Sequence, residues 1–280
     1  MLKSLIESPQ KTVFFHVMKT GGMTFRGILS SIYGDRFHVC ADPSLSSVQT
    51  QLAKYDCIEF HVMPHRNDWV NLHAEVASGS RWDLLEGMNI FTMFREPVEQ
   101  ILSLYYFMLK IRPDIEPLML ANGVAFPESI DEFLDYRENF NNQTAFVVGK
   151  SQHGGRFVGR DDLLGAQRII RRLDMHVGLT ERFDDSLRVF QAVTGRRLPP
   201  RSGIVIENRN EMRPAIETIS PKVKGRIREQ SELDVELYRF AQERFAGDFA
   251  RYVQPERFFS FPGFRATATV RAQFQSPKLN

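Results

Sequence analysis

Apolar residues fall in four short, nearly unbroken runs, and segments with the apolar spacing of helices follow three of them. Short apolar runs rich in aromatic and branched residues are typical of buried strands. Strands that alternate with helices predict an α/β fold, with a central parallel sheet and helices on both faces. The four predicted strands are Lys11 to Val17, Tyr55 to Val62, Met88 to Phe94 and Met175 to Leu179.

The predicted helices carry end signals. The first, from Thr24, stops at Gly34; the second has Pro97 in its first turn; the third begins with the cap-like Thr180 and ends at Gly195. Residues 129–172 are predicted to be helical in pieces, interrupted by the loop 149–160, and residues 220–245 to form one or two helices.

No linker divides the 280 residues, of which 42% are hydrophobic, so a single domain over 1–280 is expected. Its ordered core is predicted at about 11–262, and the tail 263–280, which loses helical periodicity, is predicted to be flexible or an edge strand. The balance of 36 basic against 34 acidic residues does not favour a nucleic-acid partner.

No segment approaches about 20 consecutive apolar residues, and the amino terminus has no apolar stretch typical of a signal peptide. Cys40 and Cys57, the only cysteines, have neither metal-binding nor redox spacing. We therefore expect a cytoplasmic protein with no membrane span and no metal. The sequence does not indicate an oligomeric state.

The first strand runs into Lys-Thr-Gly-Gly, directly before the first helix. In such a strand–loop–helix unit, backbone amides and the helix dipole converge on one point, which suits a phosphate. The alternative is a glycine turn beside a surface lysine. Because the pattern G-x-x-x-x-G-K-[ST] is absent, the loop does not favour a kinase or an ATPase. The candidate anion-binding residues are Lys19, Thr20, Gly21, Gly22, Met23 and Thr24.

A second anion motif follows the strand that ends at Phe94. Arg95 is expected at the carboxyl edge of the sheet, where open α/β sheets bind ligands, and Ser103 lies about two helical turns further on. Taken singly, Arg95 could make a structural ion pair and Ser103 could be a helix-facing hydroxyl. The combination of the two motifs favours a shared ligand.

Together these motifs resemble those of sulfotransferases that use 3′-phosphoadenosine 5′-phosphosulfate (PAPS). Lys19 to Gly22 with Thr24 is similar to their 5′-phosphosulfate loop, and Arg95-Glu96-Pro97 with Ser103 is similar to their 3′-phosphate motif. The branch most similar is the carbohydrate sulfotransferases of the heparan sulfate 2-O- and 6-O- type. Three further stretches match that branch: "ENFNNQTAFVVG", "VGLTERFDDSL" and "IREQSELDVELYRFAQERF". The chain departs from the family at Met18, usually proline, and at Glu96, usually aspartate.

The resemblance implies a P-loop-like fold, PAPS as the sulfuryl donor and an acceptor hydroxyl on a glycan or small molecule. It implies that Lys19 stabilises the leaving phosphate and that His61 is the general base, with His65 as the runner-up. The alternative for either histidine is a hydrogen-bonded side chain near a strand end. His16 is expected to pack against or orient the loop.

Two more sets of residues are weaker candidates. Arg209, Asn210 and Arg213 resemble the family's late cofactor loop, and residues 142–144 could line the site or cap a helix. Two alternative functions stay open, a P-loop-type nucleotide kinase and a non-catalytic nucleotide- or glycan-binding module.

Overall fold

A central sheet of five parallel strands organises the molecule, in the order β2-β3-β1-β4-β5. The computed structural model describes residues 10–40, 45–61, 85–150, 152, 157–200 and 213–254. The predicted α/β fold with a parallel sheet between helices is confirmed. The strands are β1 (Thr12–His16), β2 (Phe37–Cys40), β3 (Cys57–His61), β4 (Asn89–Phe94) and β5 (His176–Leu179).

Ten α-helices are described in these ranges. They are α1 (Gly22–Tyr33), α2 (Leu45–Lys54), α3 (Pro97–Lys110), α4 (Arg112–Ala121), α5 (Ile130–Phe133), α6 (Asn142–Val147), α7 (Arg160–Arg172), α8 (Phe183–Thr194), α9 (Pro221–Gln230) and α10 (Glu232–Asp248). Short 3₁₀ turns cover Gly34–Arg36, Arg137–Asn139, Thr180–Arg182 and Ile216–Thr218, and a π-helical turn, Phe249–Val253, follows α10.

The sheet is buried on both faces because successive side chains of a strand point to opposite sides. Phe14 packs with apolar residues of α1 and α8 on one face. Val13 and Phe15 belong to the cluster on the other face, which includes residues of α6, α7 and α10. All five residues of β1 are buried, as expected of a central strand in a parallel sheet. A third cluster joins α3 to α5 and α9.

The strand order creates a topological switch between β1 and β4. These two strands are neighbours, but the chain leaves β1 towards β2 on one side of the sheet and leaves β4 towards β5 on the other. The connections that follow the two strands therefore run in opposite directions, and ligands of open α/β sheets usually bind outside the carboxyl ends of the strands at such a point. The loop after β1 and Arg95 after β4 both start there.

Most boundaries of the predicted strands and helices lie within one or two residues of those in the structure. The segment 220–245 contains two helices, α9 and most of α10. Strand β2 and helices α2 and α4 were not predicted. The interpretation of Thr180 as a helix cap is wrong: Arg182 occupies the N-cap position of α8, and the Thr180 hydroxyl donates to two backbone carbonyls. The tail 263–280 lies outside the described residues. Among the described helices, none has the length and apolar character needed to cross a membrane.

Two glycines of α1 give opposite stability predictions. A Cβ at Gly22 would lie 2.0 Å from Cδ2 of the buried His16 ring, whereas a Cβ at Gly27 would meet nothing within 4 Å. Gly22→Ala should lower the free energy of unfolding by about 1–3 kcal/mol through overpacking. Gly27→Ala should raise it by about 0.4–1 kcal/mol because alanine favours the helix.

Urea unfolding of the two variants beside the parent protein measures both effects. Equal stability of Gly22→Ala and the parent would contradict the close contact between the loop and His16.

Candidate anion-binding site

Four consecutive backbone carbonyls of the loop after β1 accept hydrogen bonds from side chains. The donors come from the loop itself, from the end of β4, from the start of α3 and from the end of β5, so four parts of the chain fix the loop. The bonds are Thr20 Oγ1 to Val17 O (2.8 Å), Gln100 Nε2 to Met18 O (2.9 Å), Arg95 Nη1 to Lys19 O (3.3 Å) and Thr180 Oγ1 to Thr20 O (2.6 Å).

The direction of these carbonyls determines the direction of the amides. A trans peptide is planar, so each N–H points opposite to the carbonyl of the same unit. Lys19 and Gly21 have φ values of +63° and +82°, in the left-handed region, and left-handed residues in a loop curl successive amides around a concavity that binds anions. Gly21 adopts this conformation freely, but Lys19 does so with strain, which is common at ligand sites.

A buried ion-pair network supports the loop from below. His16 Nδ1 lies 2.6 Å from Oε1 of the buried Glu59, and Arg26 of α1 donates to both oxygens of that carboxylate. Burial alone would raise the pKa of Glu59, but hydrogen bonds from His16 and Arg26 bring it below its ordinary value. The His16 ring packs against Gly22 at the start of α1. His16 was expected to pack against or orient the loop, and the structure shows the packing contact.

Arg95 and Arg213 meet at one carboxylate. Oε2 of Glu99 lies 2.9 Å from Nη2 of Arg95 and 2.5 Å from Nη2 of Arg213. Burial would raise the pKa of Glu99, but the two guanidinium groups hold it below its ordinary value. Within the described part of the chain, the buried Nε groups of both arginines have no hydrogen-bond partner. Two buried, unpaired donors beside one carboxylate leave capacity for a further anion.

The backbone on either side of Arg95 is fixed by side chains as well. Its amide donates to Oε1 of Gln143 (2.9 Å), and its carbonyl accepts from Nε2 of the same residue (2.8 Å). The preceding carbonyl, of Phe94, accepts from Thr180 (3.1 Å), and the following amide, of Glu96, donates to Glu181 (3.0 Å). Arg95 therefore projects from a rigid backbone.

Side chains of α10 bond to the residues that fix the backbone around Arg95. Both oxygens of the buried Asp234 accept backbone amides at the start of α6, from Gln143 and Thr144. Burial raises the pKa of Asp234 to about 6 despite those hydrogen bonds. Tyr238, one turn later, donates to Oε2 of Glu181 (2.6 Å). The residues 142–144 that sequence offered as site lining or cap thus include one support of Arg95, Gln143.

Lys19 carries its charge in a largely desolvated place. Its Nζ lies 3.7 Å from the centroid of the Phe107 ring on α3, a cation–π contact. Burial, then the neighbouring charges of Arg95 and Lys110, lower the pKa of Lys19 to about 8. An anion at this position would relieve the repulsion between the cations.

The other predicted anion-binding residues lie in three different elements, the loop, α1 and α3. Thr20 is buried and its hydroxyl donates to Val17, so this hydroxyl shapes the loop. Met23 and Thr24 lie in the first turn of α1, where amides point towards the helix start. Ser103 is half-buried on α3, four residues after Glu99, and this spacing puts both on one helix face.

Of the two candidate bases, only His61 is among the residues that the structure describes. His61 ends β3, with its backbone paired beside His16 on β1, so it reaches the same carboxyl edge as the loop. His65 and Arg209 lie outside the described residues. Where side chains are described, no group of three or more His, Cys, Asp or Glu is arranged to hold a metal.

Sequence reasoning missed the roles of Gln100, Thr180 and Glu181. The stretch "VGLTERFDDSL" contains two of them, but nothing local in it indicates that its side chains bond to residues 85 and 160 positions away. Comparison of the chain with protein-family models and with curated proteins gives no match.

Proposed function

We propose that the protein is a sulfotransferase that moves a sulfuryl group from PAPS to a hydroxyl, in the first instance of a carbohydrate. One observation carries the proposal. Two candidate anion-binding elements, the loop at Lys19 and the arginine pair Arg95–Arg213, lie together at the switch point between β1 and β4. A nucleotide with anionic groups on both its 5′ and 3′ positions fits such a pair.

The residues of the two elements suit the two ends of that donor. The loop has its carbonyls bonded to side chains and Gly22 at the start of α1, and it suits the 5′ end. The guanidinium groups of Arg95 and Arg213, with the Ser103 hydroxyl on the same side of α3 as Glu99, suit the 3′-phosphate.

When bound, PAPS supplies a sulfuryl group whose transfer leaves adenosine 3′,5′-bisphosphate. The protein's contribution is positioning and electrostatic stabilisation, as in phosphoryl transfer. Lys19 places an ammonium charge at the loop, where negative charge develops on the leaving phosphate. Because its side chain is largely buried, this charge acts in a medium of low dielectric, where it stabilises more than it would in water.

The acceptor hydroxyl needs a general base, and His61 is the first candidate. It lies at the carboxyl end of β3, one strand away from the loop, and histidine is the side chain most often used for proton abstraction near neutral pH. His16 is unsuited to this role because it is buried and bonded to Glu59.

Nucleotide binding tests the proposal directly. Adenosine 3′,5′-bisphosphate should bind more tightly than AMP or ATP, because only it engages both elements. Arg95→Ala should weaken its binding by about 10- to 150-fold, the effect of ~1.5–3 kcal/mol for a charged hydrogen bond. Calorimetry with the three nucleotides measures this, and Arg112→Ala, which removes a partly exposed guanidinium bonded to Glu116 and Glu128, is the control.

Equal affinity for AMP and the bisphosphate would remove the role of Arg95. Preferential binding of ATP would favour a kinase. Bisphosphate binding without sulfate transfer from radiolabelled PAPS to any member of a panel of saccharides, lipids and phenols would favour a non-catalytic module.

The lowered pKa of Lys19 predicts linked proton uptake. In the free protein the amine loses its proton near pH 8, and a bound anion should raise that pKa. Bisphosphate affinity should therefore fall as the pH rises above about 8, and binding at pH 8.5 should take up a proton. The ligand's phosphates, with second pKa values near 6, are already ionised there.

Calorimetry at pH 8.5 in buffers of different ionisation enthalpy measures the uptake. Lys19→Arg is the matched control. Because arginine is already charged at that pH, this variant should bind the bisphosphate without taking up a proton. Unchanged uptake in Lys19→Arg would assign the proton to another group.

The assignment of the base is tested by two alanine variants. His61→Ala should lower turnover by about 10²–10⁴-fold while leaving bisphosphate affinity nearly unchanged. His65→Ala is the control and should retain turnover. The reverse result would make His65 the base, and full activity of both variants would point to an acceptor that is already acidic, such as a phenol.

A further inference from the structure

Thr180 touches both anion-binding elements. It follows the last residue of β5, and its hydroxyl lies 2.6 Å from the carbonyl of Thr20 in the loop and 3.1 Å from the carbonyl of Phe94 at the end of β4. Its methyl group lies beside Gly21. A hydroxyl has one hydrogen to donate, so the two carbonyls share it and must both stay within its reach.

Each of these carbonyls belongs to a peptide unit of one element: the unit between Thr20 and Gly21 in the loop, and the unit between Phe94 and Arg95, whose amide donates to Gln143. The Thr20 carbonyl shares its plane with the amide of Gly21, and the Phe94 carbonyl shares its plane with the amide of Arg95. A displacement of Thr180 would rotate either unit. The hydroxyl therefore fixes two peptide planes, one in each anion-binding element, relative to each other.

Glu181 extends the same connection. Its carboxylate accepts from the amide of Glu96 (3.0 Å) with one oxygen and from the hydroxyl of Tyr238 (2.6 Å) with the other. The peptide unit that follows Arg95 is thereby tied to α10. Thr180 and Glu181, here called the Thr180–Glu181 clasp, together hold the backbone before and after Arg95.

We propose that the Thr180–Glu181 clasp sets the separation of the two anion-binding elements, and so makes the site selective for a nucleotide that carries anions at both the 5′ and 3′ positions. This inference rests on the proposed function. Thr180 is a positioning residue in it, because its hydroxyl acts through the backbone of the loop and of β4.

Selectivity that depends on separation has a distinct signature. A ligand with one phosphate can seat itself in either element alone, so its affinity does not depend on the distance between them. A ligand with two phosphates must satisfy both at once. Loss of the clasp should therefore weaken the bisphosphate by more than the product of its effects on the two monophosphates.

The experiment measures dissociation constants of adenosine 3′,5′-bisphosphate, adenosine 5′-monophosphate and adenosine 3′-monophosphate by calorimetry. Thr180→Val removes the hydroxyl and keeps the shape. Thr92→Val is the matched control, because the buried Thr92 hydroxyl also joins β4 to β1, donating to the Phe15 carbonyl (2.9 Å), but within the sheet. Tyr238→Phe loosens Glu181 without altering Thr180, and is informative even if Thr180→Val does not fold.

We expect Thr180→Val to weaken the bisphosphate about three- to tenfold, the range of one neutral hydrogen bond, and each monophosphate by less than about 1.5-fold, so that the product of the two monophosphate losses stays below the bisphosphate loss. Tyr238→Phe should act in the same sense. Thr92→Val should lower the melting temperature without changing the ratio of the three affinities.

Two results would overturn the inference. If the bisphosphate loss in Thr180→Val equals the product of the monophosphate losses, or matches that of Thr92→Val, the clasp does not set the separation and the proposed function stands. If the parent protein binds the bisphosphate no better than either monophosphate, both the inference and the proposed function fail.

Discussion

The site depends on one constraint: the peptide groups at the carboxyl ends of β1 and β4 must find partners after the sheet hydrogen bonds stop. Buried backbone groups without partners destabilise a fold. Here the partners are side chains from distant segments, Gln100 for the loop, Gln143 for Arg95, and Thr180 for both. Because Gln100 and Thr180 bind carbonyls of the loop, the amides of the same peptide units point in the opposite direction.

Charge is concentrated on that rigid backbone. Burial and the nearby charge of Arg95 lower the pKa of Lys19, and burial and the nearby charge of Arg213 lower the pKa of Arg95. Glu99 offsets part of this repulsion by bonding Arg95 and Arg213. Positive groups held together before a ligand arrives are preorganised, so the protein does not have to reorient them when charge develops in a reaction.

Support for the site extends to α10, whose residues are far away in sequence. Asp234 holds the start of α6, which carries Gln143, and Tyr238 holds Glu181. Burial of the Asp234 carboxylate is unfavourable, as its raised pKa indicates, and the three hydrogen bonds it accepts offset that cost. The position of Arg95 is therefore set by α6, β5 and α10 together.

The sequence by itself determined the local structure. Apolar runs predicted four of the five strands that the structure describes, and Gly34, Pro97 and Gly195 marked helix ends. These signals are local, because apolar periodicity and helix-ending residues can be recognised within a few positions of one another. It also indicated Lys19, Gly21, Gly22 and Arg95 as anion-binding candidates. The short strand β2, with only one fully buried residue, has too weak a pattern to be predicted.

Only the tertiary structure decided which side chains hold the site together. The local sequence indicates Thr180 as a helix cap, yet its hydroxyl bonds to one carbonyl in the loop after β1 and one at the end of β4. The local sequence indicates Gln143 equally as a cap or as a lining residue. A hydrogen bond across 160 positions leaves no periodicity in the sequence. It exists because the parallel sheet brings the carboxyl ends of β1, β4 and β5 to one edge, where unpaired backbone groups meet whichever side chains can reach them.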